Sequence, residues 1–147
     1  MKNPLYLVAV DGSEWGERAA ERAIRLAEQV GGRVTLLTVM DWSHLQSMML
    51  DGPAVNTPPF NKEEEEQSTY KRVLNSLMEK YAETDVEISA ELLWGDPVEV
   101  ILEQVKVVQA NMLFVGRQGR SRLIDLLLGS VANKLAHRVG IPIVLVP

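Results

Sequence analysis

The sequence predicts an α/β protein: a three-layer sandwich on a five-stranded parallel sheet. Three observations carry that prediction. The first is a set of short apolar runs, such as "LYLVAV" at Leu5 to Val10, unbroken enough to be covered on both faces. The second is the alternation of those runs with helical patterns. The third is one run, "VEISAELLW" at Val86 to Trp94, in which Val86, Ile88, Ala90 and Leu92 alternate with Glu87, Ser89 and Glu91. Alternation marks a strand with one wet face, hence an edge. With that third strand outermost, the simplest strand order is 3-2-1-4-5.

Each element has its own signal. The first strand stops at "DGS", where Ser13 suits a helix cap and Glu14 and Glu17 suit the positive end of the dipole. Ala20, Ala23, Ile24, Ala27 and Val30 share one face of the following helix, and Gly31-Gly32 ends it. Val34 to Met40 is the second strand. Asp41 to Asn61 is a long irregular stretch of a kind that is commonly functional in compact domains. Asn61 with Glu64 has the form of a capping box, and a helix runs from there to about Tyr81. The "EEEE" at its start reads as a solvated helix N-terminus. After the edge strand, Asp96 caps a helix, Pro97 takes its first position and Glu99 closes the box. Asn111 to Val115 is the fourth strand. Ser130 to Val139 is the last helix, stopped by Gly140, and Ile141 to Pro147 is the fifth strand. No repeat or linker divides the chain, so residues 1–147 are expected to form a single domain.

Bulk properties narrow the function. The 147 residues are 46% hydrophobic and 24% charged, with a net charge of -5 and a pI near 5.1. That balance disfavours nucleic acid as a partner, because phosphate neutralisation supplies most of that affinity. There is no cysteine, which excludes disulfides, thiolate metal sites and cysteine nucleophiles. About six apolar residues precede Asp11, too few for a signal-peptide core or a membrane span. A cytoplasmic protein without direct membrane insertion is expected.

In doubly wound sheets ligands sit beyond the carboxyl ends of strands, where the strand order reverses. The order 3-2-1-4-5 puts that point between strands one and four, which end at Asp11 and Gly116. The stretch that follows, "GRQGRSRLIDLLLGS" from Gly116 to Ser130, is therefore at the expected crevice. Gly116 and Gly119 allow close backbone approach. Gly129-Ser130 opens a helix whose amides and dipole make an anion site. Arg117, Arg120 and Arg122 add positive charge, and Asp11 suits a ribose, a base or a metal bridging phosphates. The competing reading is a strand-to-helix loop with capping residues. The middle, "RSRLIDLLL", either spans a gap or reports bound ligand to a partner. No Walker motif, no G-x-G-x-x-G after the first strand, no G-x-S-x-G and no H-E-x-x-H occurs. A flavodoxin-type phosphate loop and a receiver-type phosphorylation site are also missing. His44 and His137 have no visible metal partner. Trp15, Trp42 and Trp94 read as packing residues, with Trp42 and Met48-Met49 as an alternative contact surface.

The spacing G-x2-G-x9-G-[ST], complete at Gly116, Gly119, Gly129 and Ser130, resembles the nucleotide motif of the universal stress protein family. "VAVDGSE", "GDPVEVI" and "LLGSVANKLAHRVGIPIVLVP" are similar to other segments of that family, so the likeness spans nearly the whole chain. The resemblance implies an adenine-nucleotide α hydrolase-like fold and membership of the ATP-binding subgroup, with Mg²⁺ held through the ATP phosphates. By that likeness Asp11 and Val39 lie near ribose and adenine, and Gly116, Gly119, Gly129, Ser130 and Val131 near phosphate and ribose. The full expected set of cofactor-binding residues adds Ala9, Arg117 and Arg120. The resemblance further implies a homodimer through strand 141–147, a possible higher oligomer, and a transporter or signalling protein as partner. It extends to a member named with a solute transporter. Two function classes follow. One is an ATP-binding regulatory stress-response protein acting by nucleotide-dependent oligomerisation or partner binding, plausibly on a membrane transport system. The other is a slow ATPase or phosphotransferase, for which no Glu, His or Lys is evidently placed, so no catalytic residue is assigned.

Overall fold

The computed structural model describes residues 3–43, 61–119 and 128–147. Its sheet has five strands, all parallel, in the order β3-β2-β1-β4-β5. The strands are β1 (Leu5–Ala9), β2 (Arg33–Met40), β3 (Glu87–Trp94), β4 (Met112–Gly116) and β5 (Ile143–Val146). The sequence-derived strand order is therefore the observed one. Boundaries differ by one or two residues, most at β5, which was expected from Ile141 to Pro147.

Between the strands run α1 (Glu14–Val30), α3 (Pro97–Val107) and α4 (Ser130–Arg138). The helix that follows Asn61, here α2, is not uniform. It begins as Lys62–Thr69, passes through a π-helical turn at Tyr70–Asn75, and returns to α-helix at Ser76–Lys80. Side chains alternate along each strand, so each face of the sheet has its own core. Tyr6, Val8, Val34 and Leu36 pack with Ala20, Ala23, Ile24 and Ala27 of α1 and with Val73, Leu74 and Leu77 of α2. Leu7, Leu37, Val39, Leu113 and Val115 pack with Val98, Ile101 and Val105 of α3 and Ala132 and Leu135 of α4. β1 lies in the middle of the sheet between these layers, and Val8 is fully buried.

Local chemistry sets the helix ends. The Ser13 hydroxyl accepts from the Gly16 amide. Gly31 closes α1 in the left-handed conformation that glycine adopts without strain. The Asn61 side chain accepts from the amides of Glu63 and Glu64, and the Asp96 carboxylate accepts from the Glu99 amide at 3.0 Å with Pro97 in the first helical position. Two expectations are corrected. The Glu99 carboxylate does not close a capping box; it turns to Arg138 on α4, at 2.5 and 3.3 Å. Val30 shares its helix face in projection only. It is the last residue of α1 and is half exposed, whereas Gly16 and Ala19 extend the buried stripe at the other end.

The edge strands contrast. β3 alternates exposed and half-buried residues, with Glu87, Ser89 and Glu91 on the open face. β5 carries only Ile143, Val144, Leu145 and Val146, and its first three residues are half-buried. At the carboxyl end of β3, the Trp94 ring stacks on Trp42 with centroids 4.5 Å apart. The Trp94 indole N–H donates to Glu66 of α2 at 2.5 Å, and Lys62 lies over the same ring. These contacts fasten the start of α2 to the sheet.

Candidate functional site: a crevice between β1 and β4

The reversal of strand order leaves a crevice of about 290 Å³ beyond the carboxyl ends of β1, β2 and β4. Ligands are expected there in open α/β sheets. Its apolar lining comes from Ala9, Leu37, Val39, Ile101, Val115 and Ala132, and its polar lining from Asp11, Asp41, Gln118 and Ser130, together with the glycines Gly16, Gly116, Gly119 and Gly129.

Asp11 is fixed by the turn that ends β1. Its Oδ1 accepts from the Ser13 amide at 3.0 Å and from the Ser13 hydroxyl at 2.5 Å. Gly12, at a φ of +86°, makes that turn possible without strain. The same Ser13 hydroxyl caps α1, so the carboxylate and the helix start are one hydrogen-bonded unit.

The opposite wall is built from backbone. Gly119 lies directly over Asp11: a Cβ there would stand 2.8 Å from Asp11 Oδ2. Gly129 holds the loop ends together, its amide donating to the Arg117 carbonyl at 2.8 Å. Arg117 in turn donates its amide to the Val146 carbonyl at 2.7 Å, which anchors the loop to β5. Gly129 is also the N-cap of α4, and the first helical bond runs from the Asn133 amide to its carbonyl. The amides of Ser130, Val131 and Ala132 therefore have no acceptor within the helix. A glycine cap brings no side chain to cover them, and all three residues line the crevice.

Of the residues expected from sequence, Ala9, Asp11, Val39, Gly116, Gly119, Gly129, Ser130 and Val131 line this one crevice. Arg117 does not line it; its contribution there is the backbone anchor just described. Arg120, Arg122, His44, Met48 and Met49 lie outside the described residues, as do most of the Asp41–Asn61 stretch and "RSRLIDLLL" through Leu127. His137 is in the last turn of α4, away from the crevice. Gly116 has a packing reason beyond ligand approach. A Cβ there would meet Trp15 Cβ at 2.6 Å and its carbonyl carbon at 2.8 Å, so β4 and α1 touch at this point. Sequence reading missed Leu37 and Asp41, although counting by two from Val39 reaches both. It also missed Gly16, Pro97, Ile101, Gln118 and Ala132, which come to the crevice through helix and loop placement.

Among the described residues, Asp11 and Asp41 are the two carboxylates lining the crevice. Among the described residues there is no group of three or more His, Cys, Asp or Glu able to hold a metal ion by itself. A magnesium ion fits this site only with oxygen ligands brought by a phosphate, which is the usual way that ion is bound. Among the described residues no helix is long and apolar enough to cross a membrane.

Comparison with known proteins agrees with the geometry. Two similar proteins, both from Bacillus subtilis (strain 168), match along nearly their whole length. They are "Stress response protein NhaX", 28% identical over 95% of each chain, and "Universal stress protein YxiE", 29% identical over 95% of this chain and 96% of that one. Among solved structures, hypothetical protein MJ0577 superposes with a TM-score of 0.80 at 18% identity, over 99% of this chain and 96% of that one. A universal stress protein in complex with cAMP gives 0.64 at 22% identity, over 100% and 98%. One from Archaeoglobus fulgidus in complex with dAMP gives 0.67 at 19%, over 99% and 98%. The fold they share is the adenine-nucleotide α hydrolase-like one. Residues 6–147 match the universal stress protein family, and the chain belongs to it.

Proposed function

We propose that this chain is an adenine-nucleotide-binding regulatory protein of the stress response, with residues 1–147 acting as one nucleotide-binding unit. Its ligand on this reading is ATP, with Mg²⁺ carried by the phosphates. One observation carries the proposal: the first turn of α4, capped by a glycine with no side chain to cover its amides, lines one crevice together with Asp11 and a set of apolar residues. Orphan amides and a helix dipole suit phosphate, the Asp11 carboxylate suits ribose hydroxyls, and the Ala9–Val39–Ile101 wall suits a base. The glycine at 119 is the cradle a side chain would fill. The relatives bound to cAMP and dAMP support adenine as the base.

Regulation follows if nucleotide binds one assembly state better than another, since a ligand shifts an equilibrium only by its difference in affinity. The uncharged β5 edge supports a homodimer in which a two-fold partner pairs antiparallel with Ile143–Val146, with a higher oligomer built on it. A transport system or signalling protein read from the cytoplasmic side is the proposed target, and the stress-response name of the NhaX relative supports the regulatory setting.

The test is nucleotide content followed by titration. Protein purified without added nucleotide is denatured and its supernatant analysed; the stripped protein is then titrated with ATP and Mg²⁺ by calorimetry. The expected result is bound adenine nucleotide in the first step and saturable binding in the second. No nucleotide in the supernatant and no heat on titration would sink the proposal.

A further inference from the structure

Among the described residues two carboxylates line the crevice, and a nucleotide needs only one of them at its ribose. What does Asp41 do? The strand order gives the answer a direction. β4, β1 and β2 are consecutive neighbours in the sheet, each about 4.8 Å from the next. The glycine-rich loop and the first turn of α4 follow β4. Asp11 follows β1 and lies close to Gly119. Asp41 follows β2, one strand further from β4. Phosphate, ribose and base are joined in that same order in a nucleotide. With phosphate on the α4 amides and ribose at Asp11, the base falls toward the end of β2.

The end of β2 suits a base. Leu37, Val39 and Asp41 all line the crevice, spaced by two like successive residues on one face of a strand. Leu37 and Val39 pack in one apolar cluster with Ile101 of α3, and Pro97 and Ile101 line the crevice with them. A flat apolar ring against Val39 therefore has a carboxylate at its rim, about 6–7 Å along the chain.

That carboxylate is oriented. Asp41 Oδ1 accepts from the Ser43 amide at 2.9 Å, just as Asp11 Oδ1 accepts from the Ser13 amide. The residue before Asp41 is tied to the exit of β3, because the Gly95 amide donates to the Met40 carbonyl at 2.9 Å. The residue after it, Trp42, stacks on Trp94. Among the described residues Oδ2 of Asp41 has no hydrogen-bond partner.

We propose that Asp41 selects the base in the crevice, its carboxylate accepting a hydrogen bond from the exocyclic 6-amine of adenine. The inference rests on the nucleotide reading of the crevice and deepens it. An ionised carboxylate only accepts hydrogen bonds, so it favours a base that presents a donor at this edge. A purine without the amine leaves the carboxylate desolvated and unpaired, and a site built for a hydrogen bond rejects such a ligand strongly.

Calorimetry in the presence of Mg²⁺, with ATP and with purine riboside triphosphate, tests this. The second ligand is ATP without its 6-amine. Wild type should bind ATP about 10- to 100-fold more tightly, the worth of one hydrogen bond to a charged group. In Asp41→Ala the two affinities should come within about threefold of each other. The ratio is the readout because the loss of a negative charge acts on both triphosphates alike. Asp41→Asn keeps an oxygen for the Ser43 amide and a neutral acceptor for the amine, so its ratio should lie between the other two. A wild-type ratio near one, or a ratio that both substitutions leave unchanged, overturns the role of Asp41 while leaving the nucleotide reading in place. Wild-type protein that binds neither ligand overturns both. Far-UV circular dichroism and urea unfolding identify a variant that misfolds. If Asp41→Ala does so, the ratio in Asp41→Asn decides: a fall supports the role and an unchanged value overturns it.

Discussion

The two walls of the crevice are made differently. On the β1 side, side chains do the holding: Asp11 takes two hydrogen bonds from Ser13, and Ser13 caps α1. On the β4–α4 side, backbone does it: Gly129 to Arg117, Arg117 to Val146, and a helix start capped by a glycine. The first wall presents a carboxylate oriented by the turn that follows it. The second is left with donors that nothing in its own helix accepts. The division suits an anionic ligand. A wall rich in side chains on both sides would fill the space with groups that satisfy each other.

The glycines of the second wall are not equivalent, and this can be broken experimentally. The largest effect is expected at Gly116. Its missing Cβ leaves room for Trp15, including Trp15 backbone at 2.8 Å, which cannot rotate away. Gly116→Ala must push α1 off β4. Overpacking of this kind lowers stability by about 1–3 kcal/mol, read as a lower urea midpoint at constant slope. If Gly116→Ala unfolds at the wild-type midpoint, the packing account of this glycine is wrong.

Gly119 should behave the other way. The atom in its path is a carboxylate oxygen of Asp11, at 2.8 Å, and a side chain can tilt. Gly119→Ala should therefore fold, at a cost of about 1 kcal/mol if tilting weakens one Asp11–Ser13 hydrogen bond. Its effect belongs in binding. Displacing Asp11 and filling the space over it should weaken nucleotide by about tenfold or more, the equivalent of 1.4 kcal/mol. Full affinity in Gly119→Ala would mean that the ligand does not pass over Asp11.

The same contrast explains what the sequence could reveal. Strands β1, β2 and β4 are legible because a strand buried on both faces reads as a nearly continuous apolar run, broken in β2 only by residues such as Thr35 and Thr38 that bury a hydrogen-bonded hydroxyl. β3 is legible as an edge because Glu87, Ser89 and Glu91 must face water. Those facts fix the order, the order fixes the crevice, and the crevice gathers eight of the ten expected site residues. The β1 wall was also readable, since caps such as Ser13 and Asp96 act over three residues of sequence. What escaped is what depends on contacts between distant elements. The π turn at Tyr70–Asn75 shifts the helix register without a compositional mark, so the approach of Arg72 to Gly12 is invisible until α2 is docked. Gly116 reads as a loop glycine because its reason, Trp15, is a hundred residues upstream. Glu99 fits a capping box as well as it fits an ion pair, and only the position of α4 decides between them.

That last choice gives the smallest expected effect, and it tests what holds the second wall in place. Glu99 and Arg138 join α3 to α4, the two helices that flank the crevice, and the side chains of both are at least half exposed. The Arg138 hydrogen bond and charge hold the Glu99 carboxyl below its ordinary range. A depressed carboxylate stabilises the fold above its unfolded-state value and loses that contribution as the pH falls through the folded value. Any benefit of the pair is therefore present at neutral pH and gone in acid. Solvent screens it, however, and such pairs are commonly near neutral in effect. The helices have a stronger tie beneath it: Ala132 and Leu135 pack in one cluster with Val98, Ile101 and Val105. Arg138→Gln is expected to leave the nucleotide affinity unchanged within error and to lower the melting temperature at pH 7 only by the small difference between pH 7 and pH 4 that the pair contributes, with no effect in acid. A clear loss of affinity at pH 7 would show that the pair, and not the apolar cluster, positions the first turn of α4.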